Sequence, residues 1–85
     1  LIEKRIISIG ILNSSLVHPR EVFADAITDR AASIVVIHNH PSGTLQPSDA
    51  DIEITNRLSG SGKLLGITLL DHLIITKTAY MSILK

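Results

Sequence analysis

Four histidines occur in the 85 residues, and two of them, His38 and His40, stand one residue apart in the stretch HNHPSGTLQPSDADIEITNRL. In extended backbone alternate side chains point to the same side, so two imidazoles at a strand end can be presented to one point. Pro41 disfavours helical dihedrals at His40 and keeps it extended, while Gly43 permits the reversal that returns the chain towards Ser48 and Asp51. Asp51, one turn into a following helix, offers a carboxylate oxygen as a third ligand. Two neutral nitrogens and one anionic oxygen suit zinc best among the divalent ions. Three protein ligands leave the fourth tetrahedral position to water, whose pKa on zinc falls to about 7, and that supplies a hydrolytic nucleophile at neutral pH.

Ser48 stands where a helix N-cap belongs. Its hydroxyl oxygen can accept from a first-turn N–H while its proton is donated to an oxyanion, which would stabilise a tetrahedral intermediate beside the helix N-terminus. The same Ser-x-x-Asp spacing is also that of a capping box, and two neighbouring histidines are equally compatible with a solvated loop. The combination is more restrictive than its parts. With each fixed residue at about 2 to 7% usage, the five-position pattern arises by chance on the order of once in 10⁵ chains of this length.

The elements that must position these residues can be read from periodicity. Lys4 to Leu12 alternates as a half-buried strand, with Ile7, Ile9 and Ile11 on one face and Ile6, Ser8 and Gly10 on the other. Pro19 suits a first helical position, and Val22, Phe23, Ala26 and Ile27 recur at helical spacing, predicting a helix to about Ala31. SIVVIH, ending at His38, is short, apolar and β-branched, the pattern of a central strand covered on both faces. A loop from Asn39 to Pro47 leads to a second helix starting at Ser48, with Ile54 and Leu58 on one stripe. Gly60 and Gly62 weaken its far end, yet Leu64, Leu65 and a terminating Gly66 would extend it. ITLLDHLIIT and AYMSIL read as two strands, with a hairpin around Lys77 and Thr78. The order strand, helix, strand, helix, strand, strand implies an α/β fold with helices packed on a mixed sheet.

Composition bounds the rest. The length and a hydrophobic content of 45% fit one small domain. One Phe, one Tyr and no Trp leave an aliphatic core and no aromatic platform for stacking bases. Eight basic against eight acidic side chains give no surplus to attract nucleic acid or an anionic membrane. The absence of cysteine excludes disulfides and thiolate metal sites. With no leader-like segment and no long apolar run, a cytoplasmic location without membrane association is expected. The chain opens at Leu1 directly before a strand-like run, as a piece of a longer protein would.

His38-x-His40-Pro41, six residues and Ser48-x-x-Asp51 resemble the JAMM motif of MPN+ zinc metallopeptidases at every fixed position. VHPREVF, HNHPSG, and LLGI followed by LLDHLII are similar to the RadC family over nearly the whole chain. The resemblance implies a single JAB/MPN domain over 1–85 lacking its N-terminal part, of three-layer α/β/α, cytidine-deaminase-like architecture. It implies His38, His40 and Asp51 as zinc ligands and Ser48 as the motif serine. JAMM relatives cleave peptide or isopeptide bonds, including ubiquitin linkages, whereas the RadC branch carries a DNA-repair name.

JAMM peptidases also use a glutamate base, which in RadC-like sequences precedes the first core strand and would lie upstream of this chain. Glu3 starts the first strand, roughly 30 Å from its far end. Glu21 is better placed, at a helix start directed towards His38, although a glutamate there ordinarily complements the helix dipole. His18 reads as an N-cap or as a fourth metal ligand. Asp71 and His72, being adjacent in a strand, face opposite sides and are expected to make buried hydrogen bonds. The leading expectation is a zinc-dependent hydrolase in which metal-bound water attacks an amide carbonyl of a peptide or protein substrate. Its rivals are a non-enzymatic repair-associated module, contacting nucleic acid through other parts of the full-length protein, and a closed structural metal site.

Overall fold

A computed structural model of the chain describes residues 6–12 and 18–84. Glu3, the first part of the expected opening strand and most of the following turn lie outside the described residues. The elements run β1 (Ile7–Leu12), α1 (Pro19–Thr28), β2 (Ser33–Asn39), α2 (Asp49–Leu65), β3 (Thr68–Ile75) and β4 (Tyr80–Ser82). The strands form one mixed sheet in the order β1-β2-β3-β4. β1, β2 and β3 are parallel, and β4 returns antiparallel to β3 through the expected hairpin.

Both helices are crossovers between parallel neighbours, and the strand order advances in one direction. Right-handed connections then place both helices on the same face of the sheet. That face carries the core, in which Val22, Phe23 and Ala26 of α1 and Ile54 and Leu58 of α2 pack with Leu12, Ile34, Val36 and Leu69 of the strands. Gly10 lies under α1, where an added Cβ would come within 3.3 Å of Val36 and 3.7 Å of Val22. The tight contact would be with Val36 of the neighbouring strand, while that with Val22 of α1 would be ordinary van der Waals contact.

The opposite face corrects two expectations. Ile7, Ile9 and Ile11 are 53, 64 and 71% exposed, whereas Ser8 and Leu12 are buried beneath α1. On β2, Ile34, Val36 and His38 are buried but Ser33, Val35 and Ile37 are only half-buried, so among the described residues the central strand is covered on one face. Alternation correctly identified the two faces, but the side taken by the helices was fixed by crossover handedness, which alternation does not contain.

Helix ends have local causes. α1 stops at Thr28 rather than Ala31 because Arg30 adopts a left-handed φ of 55°, while the Ala31 N–H returns to the Ala26 carbonyl. α2 continues through Gly60 and Gly62 to Leu65. Gly66 there turns left-handed with φ 74°, and its N–H and that of Ile67 both reach the Gly62 carbonyl. No described helix is long and apolar enough to cross a membrane.

Candidate metal centre

The site forms at the carboxyl end of β2, where a parallel α/β sheet opens a crevice between strand ends and the following helix. β2 delivers His38 on its helix-facing side, opposite Leu12 of β1 and Ile74 of β3. His40 follows two residues later in extended backbone, its N–H donating to the Ile75 carbonyl at 2.9 Å. The chain then reverses, with the Gly43 N–H donating to the His40 carbonyl at 3.1 Å and Gly43 itself at φ 84°. The two imidazoles lie edge to face, with centroids 4.8 Å apart.

Ser48 and Asp51 make a complete capping box: the Asp51 N–H donates to Ser48 Oγ at 3.1 Å and the Ser48 N–H to Asp51 Oδ2 at 2.8 Å. This satisfies two of the orphan amides of the α2 N-terminus. It also leaves Asp51 Oδ1 uncommitted. That oxygen is 2.9 Å from His38 Nδ1, and Oδ2 is 3.1 Å from His40 Nε2. Although close, His38 Nδ1 and Asp51 Oδ1 are misaligned for a hydrogen bond, and both are shut off from solvent with no hydrogen-bond partner among the described residues. Such buried orphans are rare, and two side by side suit a shared cation.

The ligand atoms of His38, His40 and Asp51 all lie within 4.8 Å of one another. Ligands on adjacent vertices of a tetrahedron with bonds of about 2.0–2.1 Å stand about 3.3 Å apart, so the cluster must close in slightly around a single ion. The donor chemistry also fits. His40 Nδ1 lies 2.8 Å from the Thr44 carbonyl, which can only accept, so the proton sits on Nδ1 and the Nε2 lone pair faces the site. Burial pushes the Asp51 carboxyl up, but the Ser48 backbone and hydroxyl bonds and the two imidazoles outweigh it, and the net shift is downwards. Asp51 is therefore an ionised ligand above the ordinary carboxylate range.

The remaining candidates fall outside this cluster. His18 caps α1, its Nδ1 accepting the Arg20 N–H at 3.0 Å. Glu21 is exposed in the first turn of α1 and lines a cavity of about 330 Å³ beside β1, together with Ser8, Gly10, Leu12 and Asp25. Asp71 and His72 do face opposite sides of β3. Asp71 accepts from Ser82 Oγ at 2.7 and 2.8 Å, from the His72 N–H at 2.8 Å and from the Leu84 N–H at 3.4 Å. His72 is fully buried with Nδ1 2.6 Å from Thr55 Oγ1, but its Nε2 has no partner among the described residues, where the expected satisfaction holds for only half of the ring. Burial, and then the nearby His38, push His72 below the usual histidine range. Thr55 was not anticipated from sequence, although its position four residues after Asp51 puts it on the same helix face.

An α/β domain with two histidines and an aspartate converging at a strand end is thus defined, able to hold a metal ion. The RadC-like JAB domain model matches residues 1–85, and the chain belongs to that family. It is 70% identical to a UPF0758 protein of Methanospirillum hungatei over 73 residues, covering 86% of this chain and 32% of that protein. A UPF0758 protein of Bacillus licheniformis is 57% identical over 83 residues, covering 98% and 37%, and one of Finegoldia magna is 53% identical over 85 residues, covering 100% and 38%. The chain therefore spans between 32 and 38% of the length of these relatives.

Proposed function

We propose that this chain is the metal-binding part of a zinc-dependent hydrolase that cleaves an amide bond in a peptide or protein in the cytoplasm. The observation that carries the reading is the pair of buried atoms without a hydrogen-bond partner among the described residues, His38 Nδ1 and Asp51 Oδ1, with His40 Nε2 beside them. His38, His40 and Asp51 hold the ion, and the Thr44 carbonyl fixes which nitrogen of His40 faces it. When bound, zinc polarises a carbonyl and makes water nucleophilic near neutral pH.

The chain's own contribution is orientation and charge. Ser48 Oγ accepts the Asp51 N–H, and its own hydroxyl proton remains available to donate. That proton is donated to the substrate oxygen as it gains negative charge, with the helix dipole acting in the same sense. Proton transfer to the leaving amine suits a carboxylate that is not itself a ligand, and among the described residues none but Asp51 belongs to the cluster. We assign that role to a glutamate upstream of Leu1 in the full-length protein, in preference to Glu21. We also infer that the exposed isoleucine face of β1 is covered in the whole protein by a third layer, giving the three-layer, cytidine-deaminase-like sandwich.

The test is metal content and hydrolysis in the full-length protein. One zinc per chain is expected in the native protein and none in His40→Ala, with peptide hydrolysis abolished by a chelator and restored by zinc. Full activity after exhaustive chelation, or unchanged zinc in His40→Ala, would refute the proposal.

A further inference from the structure

Behind the metal centre lies a buried polar pair that the proposed chemistry does not use. Thr55 and His72 are 3% and 0% exposed. Thr55 Oγ1 is 2.7 Å from the Asp51 carbonyl oxygen and 2.6 Å from His72 Nδ1. A hydroxyl has one proton, and a carbonyl oxygen can only accept. The Thr55 proton therefore goes to Asp51, and its oxygen receives a proton from His72 Nδ1. The result is a directed chain from imidazole to hydroxyl to the backbone of Asp51.

The same imidazole also reaches the other side of the centre. The His72 ring stacks near-parallel on His38, with centroids 5.9 Å apart and planes 22° apart. His72 lies on β3 opposite Val36, two residues before His38 on β2, so it stands behind that ligand on the helix-facing side of the sheet. One side chain thus bears on His38 directly and on Asp51 through Thr55.

We infer that Thr55 and His72 are positioning residues of the metal centre, holding the α2 ligand Asp51 and the β2 ligand His38 at the spacing a single ion requires. The inference rests on the metal-centre reading above. Burial alone does not account for the pair, because an aliphatic pair would fill the space without burying a His72 Nε2 that has no partner among the described residues. What an aliphatic pair lacks is direction. Asp51 sits in the first turn of α2, where intrahelical bonds leave amides unpaired, and the Thr55 bond anchors its carbonyl from within the helix. Ligand sites demand placement within about 0.5 Å, and groups behind the ligands supply it.

The experiment is zinc affinity by chelator competition in the full-length protein, alongside thermal unfolding of the metal-free form. Thr55→Val preserves shape and removes the hydroxyl, whereas Thr55→Ser keeps it. Zinc affinity is expected to fall about 10- to 100-fold in Thr55→Val and to remain within about threefold of wild type in Thr55→Ser. His72→Phe and His72→Asn form a second pair, should Thr55→Val fail to fold. Asn keeps a donor near the Nδ1 position and is expected to bind zinc more tightly than Phe. Zinc affinity within about twofold of wild type in Thr55→Val or His72→Phe, with only the metal-free unfolding temperature lowered, would make the pair merely structural and overturn the inference while leaving the metal reading intact. A wild-type protein that takes up no zinc would instead overturn the metal reading, and this inference with it.

Discussion

Asp51 caps the helix with Oδ2, which also lies beside His40, and faces His38 with Oδ1, so the capping and ligating readings of Ser-x-x-Asp are not rivals. Ser48 poses the parallel question, since its hydroxyl oxygen caps and its proton can donate. The two roles separate in Ser48→Ala and Ser48→Asp. Alanine removes both and should cost about 1 kcal/mol of stability, whereas aspartate caps as well as serine and should cost little. Under the proposed chemistry both lack the donor and should lower kcat by about 10²- to 10³-fold. Peptide hydrolysis and urea unfolding measured on both variants decide it, and an active Ser48→Asp would remove Ser48 from the chemistry. The ligands were legible in the sequence because they are local: two strand-end histidines, a proline, a glycine and a helix start within fourteen consecutive residues, His38 to Asp51. Thr55 and His72 were not, because their meeting depends on how α2 lies over β3, which no local spacing encodes.

At the scale of elements, α2 contains two glycines with opposite requirements. Gly60 faces open space, so an added methyl meets nothing, while a Cβ on Gly62 would overlap the Ile67 carbonyl oxygen. Alanine is favoured over glycine inside a helix by about 1 kcal/mol. Gly60→Ala should therefore stabilise by up to that amount. Gly62→Ala should destabilise by about 1–3 kcal/mol, because the turn that returns the Gly66 and Ile67 amides to the Gly62 carbonyl must move. Thermal unfolding of the two variants checks both signs, and a stabilising Gly62→Ala would contradict the close approach. For the far end of α2 the sequence held both signals, Gly60 and Gly62 against a longer helix and Gly66 as its terminator, and the left-handed cap at Gly66 is the one the fold uses. The end of α1 was not legible, because a left-handed arginine leaves no compositional mark.

For the whole molecule the unresolved term is the bare sheet face. Two right-handed crossovers in one direction cover one side of the sheet only, and the other side shows Ile7, Ile9 and Ile11. Three adjacent isoleucines on an edge strand form an apolar patch of the kind that ordinarily meets another surface. The relatives are about three times the length of the matched region, so chain is available in them to form a further layer. A substitution at Ile9 distinguishes an open face from a covered one. Ile9→Thr keeps β-branching and strand propensity, so on an open face its effect should stay within about 0.5 kcal/mol. Beneath a third layer it removes buried methyl surface and adds a hydroxyl without a partner, and should cost about 2 kcal/mol or more. Urea unfolding of the full-length protein should therefore show a lower midpoint for Ile9→Thr with an unchanged slope. An unchanged midpoint would mean that the isoleucine face stays open in the whole protein, and that the three-layer sandwich does not describe it.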